Sequence, residues 1–403
     1  MRSQVGFTLP RELDADAPPE ARGLRRDQVR LLVVDRASGA LDHHRFTDLP
    51  WLLDPGDLVV VNDSRTLPAS LLGRTAAGEP VEVRLAGRDG GHWAALPLGV
   101  PPGGGDPALV ATDARPAAPR LAAGERLAFT GGLTATVLGR HEEAAPLVWL
   151  AFDAAGPALW QALHRAGRPV RYAYVPRAWG LRHYQTVFAA APGSVEMVSA
   201  ARPFSLQTVR ELRRRGVELA TVSLHAGLST YGDPATDRAF VPAEEYHVPP
   251  ATARAVNHRR ASGGRVIAIG TSVVRALESC ALEDRATAGA GTTRLRVTAQ
   301  HRLALVDGLL TGFHEPEASH LDMLGAFLAP EVLRAAYQEA VAAGYLWHEF
   351  GDVCLLLPGR RPAVRRPATA HLALARASAI SRRAASTPSN PAVDDDLPGS
   401  RSL

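Results

Sequence analysis

The sequence predicts an α/β protein in which a large layered α/β domain carries a small inserted all-β barrel domain. Three observations predict it. Short, wholly apolar runs rich in β-branched residues recur near both ends of the chain. Helical patterns alternate with such runs in the second half. From about residue 71 to 150, only short alternating runs broken by Gly and Pro occur. The expected division is 1–70 for the first part of the α/β domain, 71–150 for the barrel, 151–359 for its second part and 360–403 for a disordered tail.

Each element has a local reason. Val29–Asp35 is an apolar run closed by Ser38-Gly39. Asp57–Asn62 follows the turn signal Pro55-Gly56 and stops at Asn62-Asp63-Ser64-Arg65. Its unbroken apolar character predicts a strand buried on both faces. Val81–Leu85, His92–Leu96, Leu127–Phe129 and Ala135–Leu138 are the barrel strands, separated by breaks such as Pro101-Pro102-Gly103. Leu206–Gly216 reads as a helix with an arginine-rich face, leading into the strand Val217–Leu224. Ala251–Ser262 is a second helix. The strand Arg265–Ile269, the turn Gly270-Thr271-Ser272 and a helix over Val273–Leu282 follow. Asp307–Phe313 reads as a turn. Pro330–Gly344 is a helix before the apolar run Val353–Leu357. The segment beyond Arg360 is rich in Arg, Ala, Ser and Pro, with at most a weak helix over Ala368–Ile380.

Composition narrows the function classes. With 46% hydrophobic and 21% charged residues among 403, the chain can bury an ordinary core. Two cysteines, Cys280 and Cys354, do not make a disulfide framework and fit a reducing compartment. No apolar stretch is long enough to cross a membrane and the N-terminus has no signal-like apolar core, so a cytoplasmic location is expected. All 45 basic residues are arginine, which excludes a lysine Schiff base, a P-loop lysine and a lysine base. Arginine still recognises carboxylate and phosphate, and the net charge of +4 permits an anionic or nucleic-acid partner. Zinc-type Cys/His spacing, a Gly-x-Ser-x-Gly elbow, a Walker A motif and a Rossmann fingerprint do not occur. No metal site or prosthetic group is therefore expected.

The candidate residues lie at strand ends. Gly270, Thr271 and Ser272 open a helix, where backbone N–H groups and hydroxyls can hold an anion, or where Thr and Ser merely cap. Asp63 and Arg65 follow a buried strand, the edge at which open α/β sheets take ligands, or they form a simple turn. His225 ends a strand and His314 follows a turn. Either can serve as acid or base, or as a structural hydrogen-bonder.

Nine blocks in order give the sequence a resemblance. They run from Asp35-Arg36 and Phe46-x-Asp48-Leu49-Pro50 through Pro55–Ala69, Tyr184–Ala189, Gly193-Ser194-Val195 and Leu224–Tyr231. Gly263–Ser279, Val306–His314 and Gly351-Asp352 complete the set. From about Phe7 to Leu357 the chain resembles the S-adenosylmethionine:tRNA ribosyltransferase-isomerase family of queuosine biosynthesis. The resemblance implies a large α/β domain with an inserted β-barrel. It also implies transfer and isomerisation of the ribosyl group of S-adenosylmethionine onto a 7-aminomethyl-7-deazaguanine base in a tRNA anticodon loop, with release of adenine and methionine. S-adenosylmethionine is then a co-substrate, and the protein is expected to act as a monomer. In this light His225, His314 and Asp307 are the catalytic candidates, Asp307 fixing a histidine or ribose hydroxyls. Gly270, Thr271 and Ser272 would bind an anionic end of the donor with support from Arg275, while Asp63 and Arg65 orient substrate. Glu278 is expected to pair with Arg275 one turn away.

The chain departs from the family pattern at three places. Val198–Ser205 stands where the family has Pro-Thr-Ala-Gly-Leu-His-Phe-Thr, and Arg202 falls within it. Thr236–Ala243 lacks the family's His-x-Met-His. Gly312 and Glu317 replace an asparagine and a lysine. A divergent member is expected, with a related transferase for another acceptor and a non-catalytic nucleoside- or tRNA-binding protein as alternatives.

Overall fold

The computed structural model describes residues 6–103, 106–316 and 318–359. The 360–403 tail and Glu317 lie outside them.

A nine-stranded mixed sheet forms the large layer. Its middle is the strand Leu58–Asn62, flanked in parallel by Glu218–Leu224 on one side and Val266–Ile269 on the other. Gly308–Gly312 continues the parallel set beside Val266–Ile269. Val353–Leu357 then runs antiparallel to it and parallel to Arg30–Asp35, with Leu41–Arg45 at that edge. Glu244–Val248 and Gly289–Thr293 finish the opposite edge as antiparallel strands.

The central strand is buried throughout, as its apolar run predicts. Leu58 and Val60 pack on one face with Val256, Val273 and Leu277, from the helices Pro250–Ala261 and Thr271–Ser279. Val59 and Val61 face the other side, among Phe46, Phe204 and Leu212, the last from the helix Leu206–Arg214. A strand covered on both faces has no use for alternation, which is why its pattern is continuous.

The barrel is a closed, six-stranded antiparallel one. Ser70–Arg74, Pro80–Asp89, His92–Gly99, Val148–Phe152, Thr134–Arg140 and Arg126–Phe129 follow each other around it. Pairing of Gly73 with Phe129 closes the ring and leaves these strands no open edge there. Its packing runs past residue 150. The helix Gly156–Ala166 buries Leu159, Ala162, Leu163 and Ala166 against the barrel core, and Gly167-Arg168 pairs with Ser70-Leu71. The barrel meets the sheet through Leu228 N–H, which donates to Ala86 O, and through the ion pair of Arg88 with Glu245.

One element differs in kind from its sequence reading. Gly308–Gly312 is a strand rather than a turn. Its neighbours Val266–Ile269 and Val353–Leu357 pair with both of its edges, so tertiary pairing overrides the Gly-rich local signal.

Candidate functional site

The carboxyl ends of the parallel strands bring the site together. Leu58–Asn62 ends at Asn62, a side chain wholly inaccessible to solvent. Its Nδ2 donates to Leu224 O (2.8 Å) and Ser272 Oγ (3.1 Å), while its Oδ1 accepts from Ser64 N–H and Leu224 N–H. One amide thus ties three strand ends together. Asp63 accepts a 2.5 Å hydrogen bond from Ser223 Oγ. Arg65 is exposed.

Beyond Asn62, a short relay leads to a histidine. Ser64 Oγ lies 2.7 Å from Ser194 Oγ and 2.7 Å from His225 Nδ1. Ser194 Oγ also accepts from Ala226 N–H (3.1 Å). Ser194 arrives on the short strand Ala191–Ser194, which pairs in parallel with Ser64–Thr66. Burial pushes the His225 imidazole below its usual pKa, partly countered by Glu245 and Asp63, so the ring is held neutral near pH 7. The two serines can pass a proton either way. With Nδ1–H donating to Ser64, Nε2 presents a lone pair to a substrate; with the relay reversed, Nε2 donates.

The helix Thr271–Ser279 starts at this edge. Gly270 has φ 94°, a conformation that disfavours any side chain, and its Cα faces Ala200. The N-terminal N–H groups of the helix and the hydroxyls of Thr271 and Ser272 stand beside Asn62, where a carboxylate can bind.

The remaining candidates separate from this group. Arg275 forms a tight ion pair with Glu244 and donates from Nε to Leu295 O, so its charge is spent within the protein. Glu278 does not pair with Arg275. Its carboxylate accepts from Ala304, Leu305 and Val306 N–H, closing the loop before the next strand. Asp307 sits at the amino end of Gly308–Gly312, the sheet edge opposite Gly270. It accepts from Val266 N–H and lies 3.8 Å from Arg260, and so it does not fix a site histidine. His314 lies at the carboxyl edge but in its own cluster. Its Nε2 is 2.8 Å from Thr311 Oγ1, and its ring stacks on His320 at 5.1 Å. Burial pushes its pKa well below the usual value. The departure at Arg202 is structural: the nearly inaccessible guanidinium pairs with Glu20 and donates to His183 O.

A cavity of about 400 Å³ lies on the barrel side, lined by Ser70, Glu82, Arg168, Arg171, Trp179 and Tyr184 among others. It is not the His225 relay. It borders it through Tyr184, whose carbonyl accepts from Thr66 Oγ1 and whose ring packs on Phe350. The relay is the better centre because it sets an imidazole at the carboxyl edge of the sheet, beside the helix start at Gly270.

Comparison with known proteins decides the family. A family model described as queuosine biosynthesis protein matches residues 2–356. The chain belongs to the queuosine biosynthesis protein family. Two relatives are S-adenosylmethionine:tRNA ribosyltransferase-isomerases: one from Gloeobacter violaceus is 38% identical over 359 residues, covering 88% of this chain and 95% of its own. One from Sorangium cellulosum is 39% identical over 369 residues, covering 87% and 97%. A crystal structure of S-adenosylmethionine tRNA ribosyltransferase from Thermotoga maritima aligns with a TM-score of 0.49 at 28% identity, covering 88% of this chain and 100% of that one.

Several site residues escaped the sequence reading. Ser64 and Ser194 lie inside recognised blocks, yet nothing in their spacing pairs them. Asn62 looked like a turn former, although its 0% exposure and four hydrogen bonds make it the junction of the site.

Proposed function

We propose that the protein is an S-adenosylmethionine:tRNA ribosyltransferase-isomerase of queuosine biosynthesis, with S-adenosylmethionine and tRNA as its substrates. The observation that carries the reading at the level of this chain is the Ser194–Ser64–His225 relay at the carboxyl edge, beside the helix start at Gly270.

The chemistry follows from the donor. A sulfonium acidifies the adjacent 5′ C–H of the ribosyl group. His225, held neutral and with Nδ1–H donating to Ser64, takes that proton at Nε2. The carbanion opens the ribosyl ring and expels adenine, leaving a vinyl sulfonium and an aldehyde. The acceptor's amine adds to the vinyl sulfonium and loses its proton. The regenerated ylide carbon closes on the aldehyde, and the resulting alkoxide displaces methionine to form the epoxide. Thr271 and Ser272, with the adjoining helix N–H groups, hold the methionine carboxylate. Asp63, oriented by Ser223, faces substrate hydroxyls.

The acceptor is a base in the anticodon loop, where unpaired bases can be splayed into a pocket. Exposed Arg168 lines the barrel-side cavity and suits the phosphates beside it. The protein acts as a monomer in the cytoplasm, and the α/β layer interrupted by a barrel is its domain plan. No helix among the described residues is long and apolar enough to cross a membrane.

The deciding experiment incubates the protein with S-adenosylmethionine and tRNA bearing the aminomethyl-deazaguanine base and measures adenine release. Release that depends on that tRNA is expected. Donor binding without release on this tRNA would overturn the acceptor assignment.

A further inference from the structure

The barrel-side cavity is left over by the reaction placed at the relay. None of Ser64, Ser194, His225 and Thr271 lines it. A base reacting at His225 therefore leaves the cavity unfilled, although its volume of about 400 Å³ is that of a small-ligand site. The two places are close. Pro68, in the cavity wall, is four residues beyond Ser64, a span of at most about 14 Å.

The wall offers both polarities to a planar ring. Trp179 and Tyr184 stand in it, and each carries a polar group closed to solvent and without a partner among the described residues: the indole Nε1–H and the phenol hydroxyl. Buried groups of this kind are normally paired. Asp106 supplies acceptors. Its carboxylate takes Ala108 N–H and pairs with Arg171, and its side chain still keeps 31% of its surface exposed, with lone pairs left for a ring N–H. Glu82 has none to offer, for Arg84, Arg115 and the Ser70 hydroxyl occupy it.

The mouth is positive. Arg168 lines the cavity, Arg177 lies over the Trp179 ring at 4.9 Å from its centre, and Arg182 follows Leu181 of the wall. All three are exposed, and none joins an ion pair among the described residues. That charge selects the occupant. S-adenosylmethionine is a net cation, with a sulfonium and an ammonium against one carboxylate, and an arginine rim repels it. A nucleotide with a phosphate on either side is drawn in, and its base meets an aromatic wall.

We propose that the barrel-side cavity receives an unpaired base adjoining the one that is modified, so that the enzyme reads a neighbour as well as its target. This rests on the reaction proposed above. The test assays the full chain for adenine release with an anticodon stem-loop carrying the aminomethyl-deazaguanine base. Two further loops are abasic on its 5′ or its 3′ side. One of the abasic loops should raise KM by about 5- to 100-fold, the scale of one stacked base, with kcat held within a few-fold. Trp179→Ala should raise KM for the intact loop by a similar factor and suffer no further rise on that abasic loop. Its affinity for S-adenosylmethionine, by calorimetry, should match the wild type. Arg168→Gln should reduce the slope of log affinity against log salt by about 0.7, one phosphate contact on a single strand. If Trp179→Ala fails to fold, Tyr184→Phe, which removes only the hydroxyl, goes through the same cycle with a smaller rise. A wild type that turns over both abasic loops as well as the intact one overturns the inference and leaves the reaction standing. So does an abasic penalty of equal size in the wild type and the variant. A folded variant that loses donor affinity places S-adenosylmethionine in the cavity and also overturns the inference. No adenine release from the intact loop overturns the reaction and the inference together.

Discussion

Gly193 has no side chain where the ring of His225 lies: a Cβ at position 193 would fall 2.4 Å from both Cγ and Nδ1 of that imidazole. The ring is therefore set by packing as well as by its 2.7 Å contact with Ser64. Gly193→Ala should push the imidazole off the relay and lower adenine release by about 100-fold, the scale of an ångström-sized misplacement of a catalytic group. Donor affinity by calorimetry should change little, since the helix start at Gly270 is untouched. Full activity in this variant would show that the ring position does not matter.

His225→Gln should reduce turnover by about 10² to 10⁴-fold, the usual yield of general acid–base catalysis. The pH profile carries the sign. Burial lowers the His225 pKa below 6.5, and the neutral ring is the base. In the wild type, kcat/KM should rise as pH climbs through a value below the ordinary 6.5 and then level off. An acidic limb centred above 6.5 would point to another base.

Stability should fall on acidification. Burial holds His320 neutral down to about 4, from 6.5, and pushes His314 well below its usual value. Between about pH 6.5 and pH 4 the unfolded chain takes up protons that the folded chain refuses, so folding free energy is lost as pH falls through that window. Urea denaturation at steps from pH 7 to pH 4.5 should show the loss, and His320→Gln should flatten it. Equal slopes in both proteins would exclude His320 as a source.

Arg275 is best tested by what it leaves behind. Arg275→Met strands Glu244, which is only 7% exposed, and should cost about 3 kcal/mol or more in chemical denaturation. Adding Glu244→Gln should recover much of that loss. Donor binding in the double variant should stay within a few-fold of wild type. A large loss of donor affinity in that folded double variant would return Arg275 to the binding site.

The parts of the fold legible from sequence are those fixed by local pattern. Five consecutive inward-packing residues at Leu58–Asn62 announce a strand covered on both faces, and the broken alternating runs announce the barrel. The helix Gly156–Ala166 belongs to the barrel through contacts that no local pattern encodes. The site was half legible. His225 and Gly270–Ser272 fall at strand ends that pattern alone locates. Asp307 is expected to fix a histidine or ribose hydroxyls, and Asp307–Phe313 reads as a turn that leaves it near His314. The five-residue strand there is about 17 Å long and puts the two residues at opposite sheet edges. Tyr172 with Glu196, and Tyr174 with Glu349, are pairs between separate segments that no local pattern announces.

The position of Leu58–Asn62 in the middle of the sheet also orders events in time. Both of its neighbours, Glu218–Leu224 and Val266–Ile269, come roughly 150 to 200 residues later in the chain, and such non-local pairings form slowly. On the ribosome this strand waits unpaired while the barrel, whose strands lie close in sequence, emerges and closes first. The nascent chain acquires its reactive centre only once Ser272 has left the exit tunnel. A truncation after the barrel's packing helix Gly156–Ala166 but before Glu218 leaves the apolar strand Leu58–Asn62 without either neighbour, which is the form most exposed to aggregation.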